Sequence, residues 1–70
     1  MGWSSGTTLM GEIIDAVQSK VKDKKLRKSL YLSIISAFEN ADWDGQDECE
    51  GIDDAFDKAL KELHPDWYKN

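Results

Sequence analysis

Apolar residues in this chain recur at intervals of three and four positions, which is the spacing of one face of an α-helix. No run alternates apolar and polar residues over four or more positions between turn signals, as a half-buried strand would. The sequence therefore predicts an all-α protein. The expected architecture is a small single-domain bundle of three main helices plus one short acidic helical turn.

Capping and helix-breaking residues set the predicted boundaries. Residues 1–8 are rich in glycine and serine and are predicted to form a flexible lead-in to a single helical domain over residues 9–70. Asp23 is a capping residue inside a basic run, and Pro65 ends the last apolar pattern. The predicted helices are Thr7 or Thr8 to about Lys20, Asp23 to about Asn40, and Asp54 to about Leu63.

Gly11 and Trp3 depart from the pattern around them. A glycine inside a helix costs about 1 kcal/mol relative to alanine, so Gly11 indicates that another helix crosses the first one closely there. Trp3 is a large aromatic residue in a polar segment. It either folds back to cover apolar surface or stays exposed as an anchor for a partner.

The stretch from Asn40 to Asp54 concentrates acidic residues between the second and third helices. Asp44 is predicted to cap a short acidic helical turn, and Gly51 is predicted to end it in a left-handed conformation. Asp53 is placed to cap the third helix. Trp43 is predicted to be a core residue that folds this stretch onto the bundle while its aspartates stay in water.

Charge is distributed unevenly over the chain, whose net charge is -5. Six cations and one acid lie between Lys20 and Lys28, whereas eleven acids and two lysines lie between Glu39 and Asp66. An acidic protein repels nucleic acid at long range, so no direct nucleic-acid binding is predicted. The charge dipole leaves a homo-oligomer open as an alternative.

The basic residues fall in the first turns of the second helix, where the helix dipole prefers acids. Two interpretations remain open. The cations either lie in water or face the acidic stretch, or they form a ligand or partner site. The residues of this alternative basic patch are Lys24, Lys25 and Lys28.

A calcium site is a second alternative for the acidic stretch. Asp42 and Asp44 match the start of an EF-hand loop, and Asp53 falls at the twelfth position. The sixth position, which needs glycine for a sharp turn, is Asp47. The pattern is therefore incomplete, and no metal or other cofactor is predicted as the main interpretation.

Cys49 and His64 are the only candidates for nucleophilic catalysis. Carboxylates around Cys49 oppose formation of its thiolate, so no enzyme activity is predicted. A single cysteine allows no intramolecular disulfide, which favours a cytoplasmic location. No apolar run approaches the roughly 18 residues of a membrane span, so no membrane contact is predicted.

The segment from Phe38 to Glu48, with its Asp42-Trp43-Asp44 and Glu48, and the later pair His64-Pro65 carry a resemblance. Together they resemble a small family of uncharacterised bacterial and phage proteins that share an Asp-Trp-Asp-x-x-x-Glu segment and a closing His-Pro. The resemblance covers nearly all of the chain. It implies a free-standing small protein and no particular activity.

These features together predict a non-enzymatic, acidic protein-interaction module. Its partner would be a protein with a basic surface, on which the module docks as an inhibitor or as a nucleic-acid mimic. The predicted partner-binding residues are Asp42, Asp44, Asp47, Glu48, Glu50, Asp53 and Asp54.

Overall fold

The computed structural model describes residues 3–68, and no residue in this range belongs to a β-strand. The prediction of an all-α protein with three helices and a short acidic turn is confirmed. The helices are α1 (Ser4–Lys20), α2 (Lys24–Asn40) and α3 (Asp54–Leu63). Two short 3₁₀ segments accompany them, Gln46–Cys49, called the acidic turn, and Pro65–Tyr68, called the C-terminal turn.

Aspartate caps begin both α2 and α3, as predicted. The side chains of Asp23 and Asp53 each accept a hydrogen bond from the backbone amide two residues on, which satisfies a donor that has no partner within the helix. Gly51 has the predicted left-handed conformation, with a φ of 90°. The predicted cap at Asp44 is wrong, because the acidic turn begins after Gly45 and has no side-chain cap.

The first helix begins at Ser4, so residues 4–8 are helical and their assignment to a flexible lead-in is wrong. Trp3 explains the earlier start. Its ring packs against that of Phe38, with centroids 5.1 Å apart, and its carbonyl accepts a hydrogen bond from the Gly6 amide. This packing overrides the low helix propensity of a glycine- and serine-rich segment. Trp3 therefore does fold back over apolar surface, and Met1 and Gly2 lie outside the described residues.

The core is built around α2, which packs mainly against α3, while α1 packs against the acidic turn. The rings of Tyr31 and Phe56 meet edge to face with centroids 5.5 Å apart, an arrangement that aromatic pairs favour. The side chains with no exposed surface are Met10, Ile14, Tyr31, Ile35, Phe56, Ala59 and Leu60.

Gly11 does not mark a close helix crossing, and that prediction is wrong. A Cβ atom built at this position would meet no atom within 4 Å. We therefore expect Gly11→Ala to stabilise the protein by about 0.5–1 kcal/mol, because alanine restricts the unfolded chain without any steric cost in the helix. Urea unfolding followed by circular dichroism measures this change.

Gly6→Ala is the matched control for that substitution and should destabilise the protein. A Cβ atom at Gly6 would lie 2.7 Å from Cε3 of Trp3 and 3.0 Å from Cδ1 of Trp43, so an indole ring would have to move. Overpacking of this kind typically costs about 1–3 kcal/mol. A loss of stability in Gly11→Ala as large as that in Gly6→Ala would contradict the open space seen at Gly11.

Candidate functional site

Trp43 fastens the acidic loop, defined as residues 42–50, to the helices. Its side chain is only 2 % exposed, and its ring meets that of Phe38 edge to face at 5.5 Å. The indole Nε1 donates a hydrogen bond to Oγ1 of Thr7 at 3.0 Å. The prediction that Trp43 is a core residue is confirmed. Its partner Thr7 lies 36 positions away in the chain, and nothing in the sequence pointed to it.

The side chain of Gln46 links the acidic turn to α2. Its buried side chain donates from Nε2 to Oε2 of Glu39 at 2.7 Å and to the carbonyl of Trp43 at 3.3 Å. The same Glu39 oxygen lies 2.6 Å from Nε2 of His64, at the end of α3. The loop is thus tied to α2 directly and to α3 through Glu39. Its outward side chains therefore project from a fixed backbone.

Four carboxylates project from this backbone without a cationic partner. They are all exposed, and none forms an ion pair with another residue in the described range 3–68. Asp42 has a φ of 69°, a left-handed conformation that aspartate tolerates better than most residues. We call this group the acidic surface: Asp42, Asp44, Asp47 and Glu48.

Three further acids that the sequence assigned to this surface have other environments. Glu50 accepts a hydrogen bond from the Tyr68 hydroxyl, and burial together with this bond raises the pKa of Tyr68 to about 12. Asp54 lines a separate pocket. Asp53 is only 3 % exposed. Its assignment to a partner-binding surface is therefore wrong.

Asp53 is the centre of a buried polar network. Nε and Nη2 of Arg27 donate to its two oxygens at 2.9 and 3.3 Å, and the Tyr31 hydroxyl donates to it at 2.8 Å. Arg27 also donates to the carbonyl of Val21 at 2.9 Å. Because each charged or polar group has a partner, the network avoids the cost of an unpaired buried charge.

The hydrogen bonds determine the protonation state of this network. Burial by itself would raise the pKa of Asp53, but the bonds from Tyr31, Arg27 and the Ala55 amide outweigh it and hold that pKa below its usual value of 3.8. Burial and the bond to Asp53 raise the pKa of the Tyr31 hydroxyl. At neutral pH the network therefore contains a carboxylate, a guanidinium and a neutral phenol.

The sequence contained a signal for this network that the charge pattern obscured. Arg27 lies four residues before Tyr31, which lies four residues before Ile35, so helical spacing puts all three on one face. Arg27 lies among lysines in the chain, so composition alone groups it with the cations between Lys20 and Lys28. Its place on the apolar face is the sequence signal that could have identified it as buried.

The structure does not bring together the calcium ligands considered from the sequence. Asp53 is bound to Arg27 and Tyr31, so it does not join Asp42 and Asp44. Within residues 3–68, no group of three histidine, cysteine, aspartate or glutamate side chains is arranged to hold a metal ion. The acidic loop is thus not organised as a cation site.

Cys49 and His64 each have other partners. The Cys49 thiol is buried and lies 3.8 Å from the carbonyl of Thr7. Burial, with Glu48 and Asp47 nearby, raises its pKa, which opposes formation of a nucleophilic thiolate. His64 is bonded to Glu39, and its ring stacks on that of Trp67 at 3.8 Å. The arrangement offers no activated nucleophile at Cys49.

A pocket of about 180 Å³ lies between the first turns of α2 and α3. The basic patch predicted from the sequence forms one wall of this pocket, and Lys58 of α3 contributes to the lining as well. The sequence did not indicate Lys58 because it is distant from the patch in the chain. Lys28 pairs with Glu62 at 2.6 Å. The other lysines have no acidic partner among the described residues. We call this the lysine pocket, lined by Lys24, Lys25, Lys28, Asp54, Ala55 and Lys58.

Comparisons with protein-family models, with curated proteins and with solved structures found no match. The resemblance to a bacterial and phage family therefore stays a prediction. Among the described residues, no helix combines the length and the apolar character that crossing a membrane requires.

Proposed function

We propose that this chain is a non-enzymatic interaction module whose acidic surface docks on a basic surface of a protein partner. The observation that carries the proposal is the state of Asp42, Asp44, Asp47 and Glu48, four exposed carboxylates without a cationic partner in residues 3–68. Clustered acids repel one another, and a basic partner would relieve that repulsion.

The rigidity of the loop supports the same proposal. The side chains of Trp43 and Gln46 are buried beneath the acidic surface, where Trp43 forms a hydrogen bond with α1 and Gln46 forms one with α2. A partner would therefore meet carboxylates whose backbone is already ordered, which lowers the entropy lost on binding. A fixed array of negative charge suits an inhibitor or a nucleic-acid mimic, and the proposal includes both roles. The proposed location of the protein is the cytoplasm.

Internal neutralisation is the main competing explanation for the acids. It would require the cations between Lys20 and Lys28 to pair with the acidic loop. Instead, Arg27 pairs with the buried Asp53, and Lys28 pairs with Glu62 on α3. Neither cation is engaged with the acidic surface, which leaves that surface available to a partner.

We expect the substitution Asp44→Asn/Asp47→Asn/Glu48→Gln to leave the fold intact or slightly more stable while slowing association with the partner about tenfold at low salt. The physical reason is the loss of long-range attraction between oppositely charged surfaces. The partner is first captured from extracts of the source cell on wild-type protein, and association rates are then measured by surface plasmon resonance at several salt concentrations.

The matched control is Glu12→Gln/Asp15→Asn/Asp66→Asn, which removes the same charge from exposed positions outside the acidic loop. This control should keep close to the wild-type association rate. Raising the salt should bring the wild-type rate down towards that of the acidic-surface variant. Equal slowing in both variants, or no slowing in either, would show that the acidic surface is not where the partner binds.

A further inference from the structure

We propose that the lysine pocket is a binding site for a phosphate group, either as the free ion or as a phosphomonoester. This inference goes beyond the proposed function, because it concerns another face of the molecule and a different class of ligand. Its basis is the convergence of two helices on one small concavity. Four lysine side chains and one aspartate line that concavity, and the ammonium group of one of them, Lys28, is bound to Glu62.

The charges in the pocket are not balanced from within the protein. Lys24, Lys25 and Lys58 are exposed and have no acidic partner among residues 3–68, while Lys28 is held by Glu62. Lys24 and Lys28 are four residues apart on the same helix, where like charges repel. Lys58 adds a further positive charge from α3. A bound anion would remove this repulsion.

The direction of the helices adds to the positive potential. The pocket lies at the first turns of α2 and α3; the first turn of α2 contains no acidic residue, whereas that of α3 contains Asp54 and Asp57. The amino end of a helix carries a partial positive charge and attracts anions. Asp23 already caps α2 through the amide of Lys25. The first-turn amides of α2 that Asp23 does not cap and the lysine side chains therefore attract the same anion.

The size and donors of the pocket indicate the class of anion. Its volume of about 180 Å³ is below the ~300–1,000 Å³ of pockets for drug-sized ligands, so it suits one small group rather than a whole nucleotide. Each lysine ammonium provides three donors and a point charge. A phosphate group has a charge near -2 and three strongly accepting oxygens, so it engages several lysines at once better than a carboxylate does.

The test is a nuclear magnetic resonance titration at constant ionic strength with inorganic phosphate, O-phosphoserine and acetate as separate probes. We expect saturable shifts of the amides of Lys24, Lys25 and Ala55 with both phosphate probes and weaker, non-saturating shifts with acetate. Tighter binding of O-phosphoserine than of inorganic phosphate would assign the site to a phosphomonoester. The reverse order would assign it to the free ion.

Two variants of equal charge locate the site. Lys24→Gln/Lys58→Gln removes two pocket lysines and should weaken phosphate binding by at least about tenfold. Lys20→Gln/Lys61→Gln removes two lysines outside the pocket and should keep the wild-type affinity. Lys25→Gln alone repeats the test if the double variant loses its helical circular dichroism. Equal weakening in both double variants, non-saturating phosphate shifts, or acetate binding as tight as phosphate binding would overturn the proposal.

Discussion

Asp53→Ala should destabilise the protein by at least about 3–5 kcal/mol, the range for removing one partner of a buried ion pair. The substitution leaves the Arg27 guanidinium buried without a counter-charge and removes the acceptor of the Tyr31 hydroxyl. It also removes the side-chain cap of α3. A chain of this length has a total stability of roughly 4–10 kcal/mol, so a large unfolded fraction is expected. Urea unfolding followed by circular dichroism measures the loss.

Asp54→Ala is the matched control, since it removes the same charge one residue later at an exposed position in the first turn of α3. It should cost less than about 1 kcal/mol. Arg27→Met/Asp53→Asn should recover part of the stability, because it removes the buried charge and keeps a side chain that caps α3. Asp53→Ala and Asp54→Ala proteins of equal stability would show that the buried network contributes nothing.

The same network predicts how stability depends on pH. The pKa of Asp53 in the folded protein lies below its usual value of 3.8, so the folded state favours the carboxylate more than the unfolded state does. Its contribution to stability is complete above pH about 4 and is lost as the pH falls through the folded-state pKa. The stability difference between wild type and Asp53→Asn should therefore shrink in acid, and pH-dependent urea unfolding measures it.

The helix caps and the turn that the sequence predicted correctly depend on neighbours in the chain. Asp23 and Asp53 cap helices because an aspartate side chain reaches the amide two residues on. Gly51 turns the chain because glycine alone adopts its φ of 90° without a Cβ penalty. Each of these interactions is complete within a few residues. Local rules therefore predicted the start of α2, the start of α3 and the turn between the acidic segment and α3.

The features that the sequence did not predict depend on contacts between distant segments. The helical state of residues 4–8 depends on Trp3 packing against Phe38. The burial of Asp53 depends on Arg27, which lies 26 positions earlier. The lysine pocket depends on the start of α3 lying beside the start of α2. For the candidate sites, composition identified the acidic and basic segments, but only the packing of helices determined which charges stay unpaired.

Trp43→Ala should cost about 3–5 kcal/mol, the usual range for removing a buried aromatic side chain. The substitution opens a cavity beside Phe38 and removes the hydrogen bond from the indole to Thr7. Gly6 packs against the same ring and has no side chain that could fill the space. Because the cavity cannot close easily, we expect a loss near the upper end of this range. Thermal and urea unfolding followed by circular dichroism measure it.

Two variants separate the contributions of Trp43. Trp67→Ala is the matched control, because Trp67 is 55 % exposed and rests on His64, and it should cost less than about 1 kcal/mol. Trp43→Phe keeps an aromatic ring but loses the bond to Thr7, so its cost should lie between the other two. A Trp43→Ala protein that melts within a degree or two of wild type would instead place this ring in solvent. Trp43 would then be an exposed anchor for a partner, and the acidic loop would not be fixed to the helices.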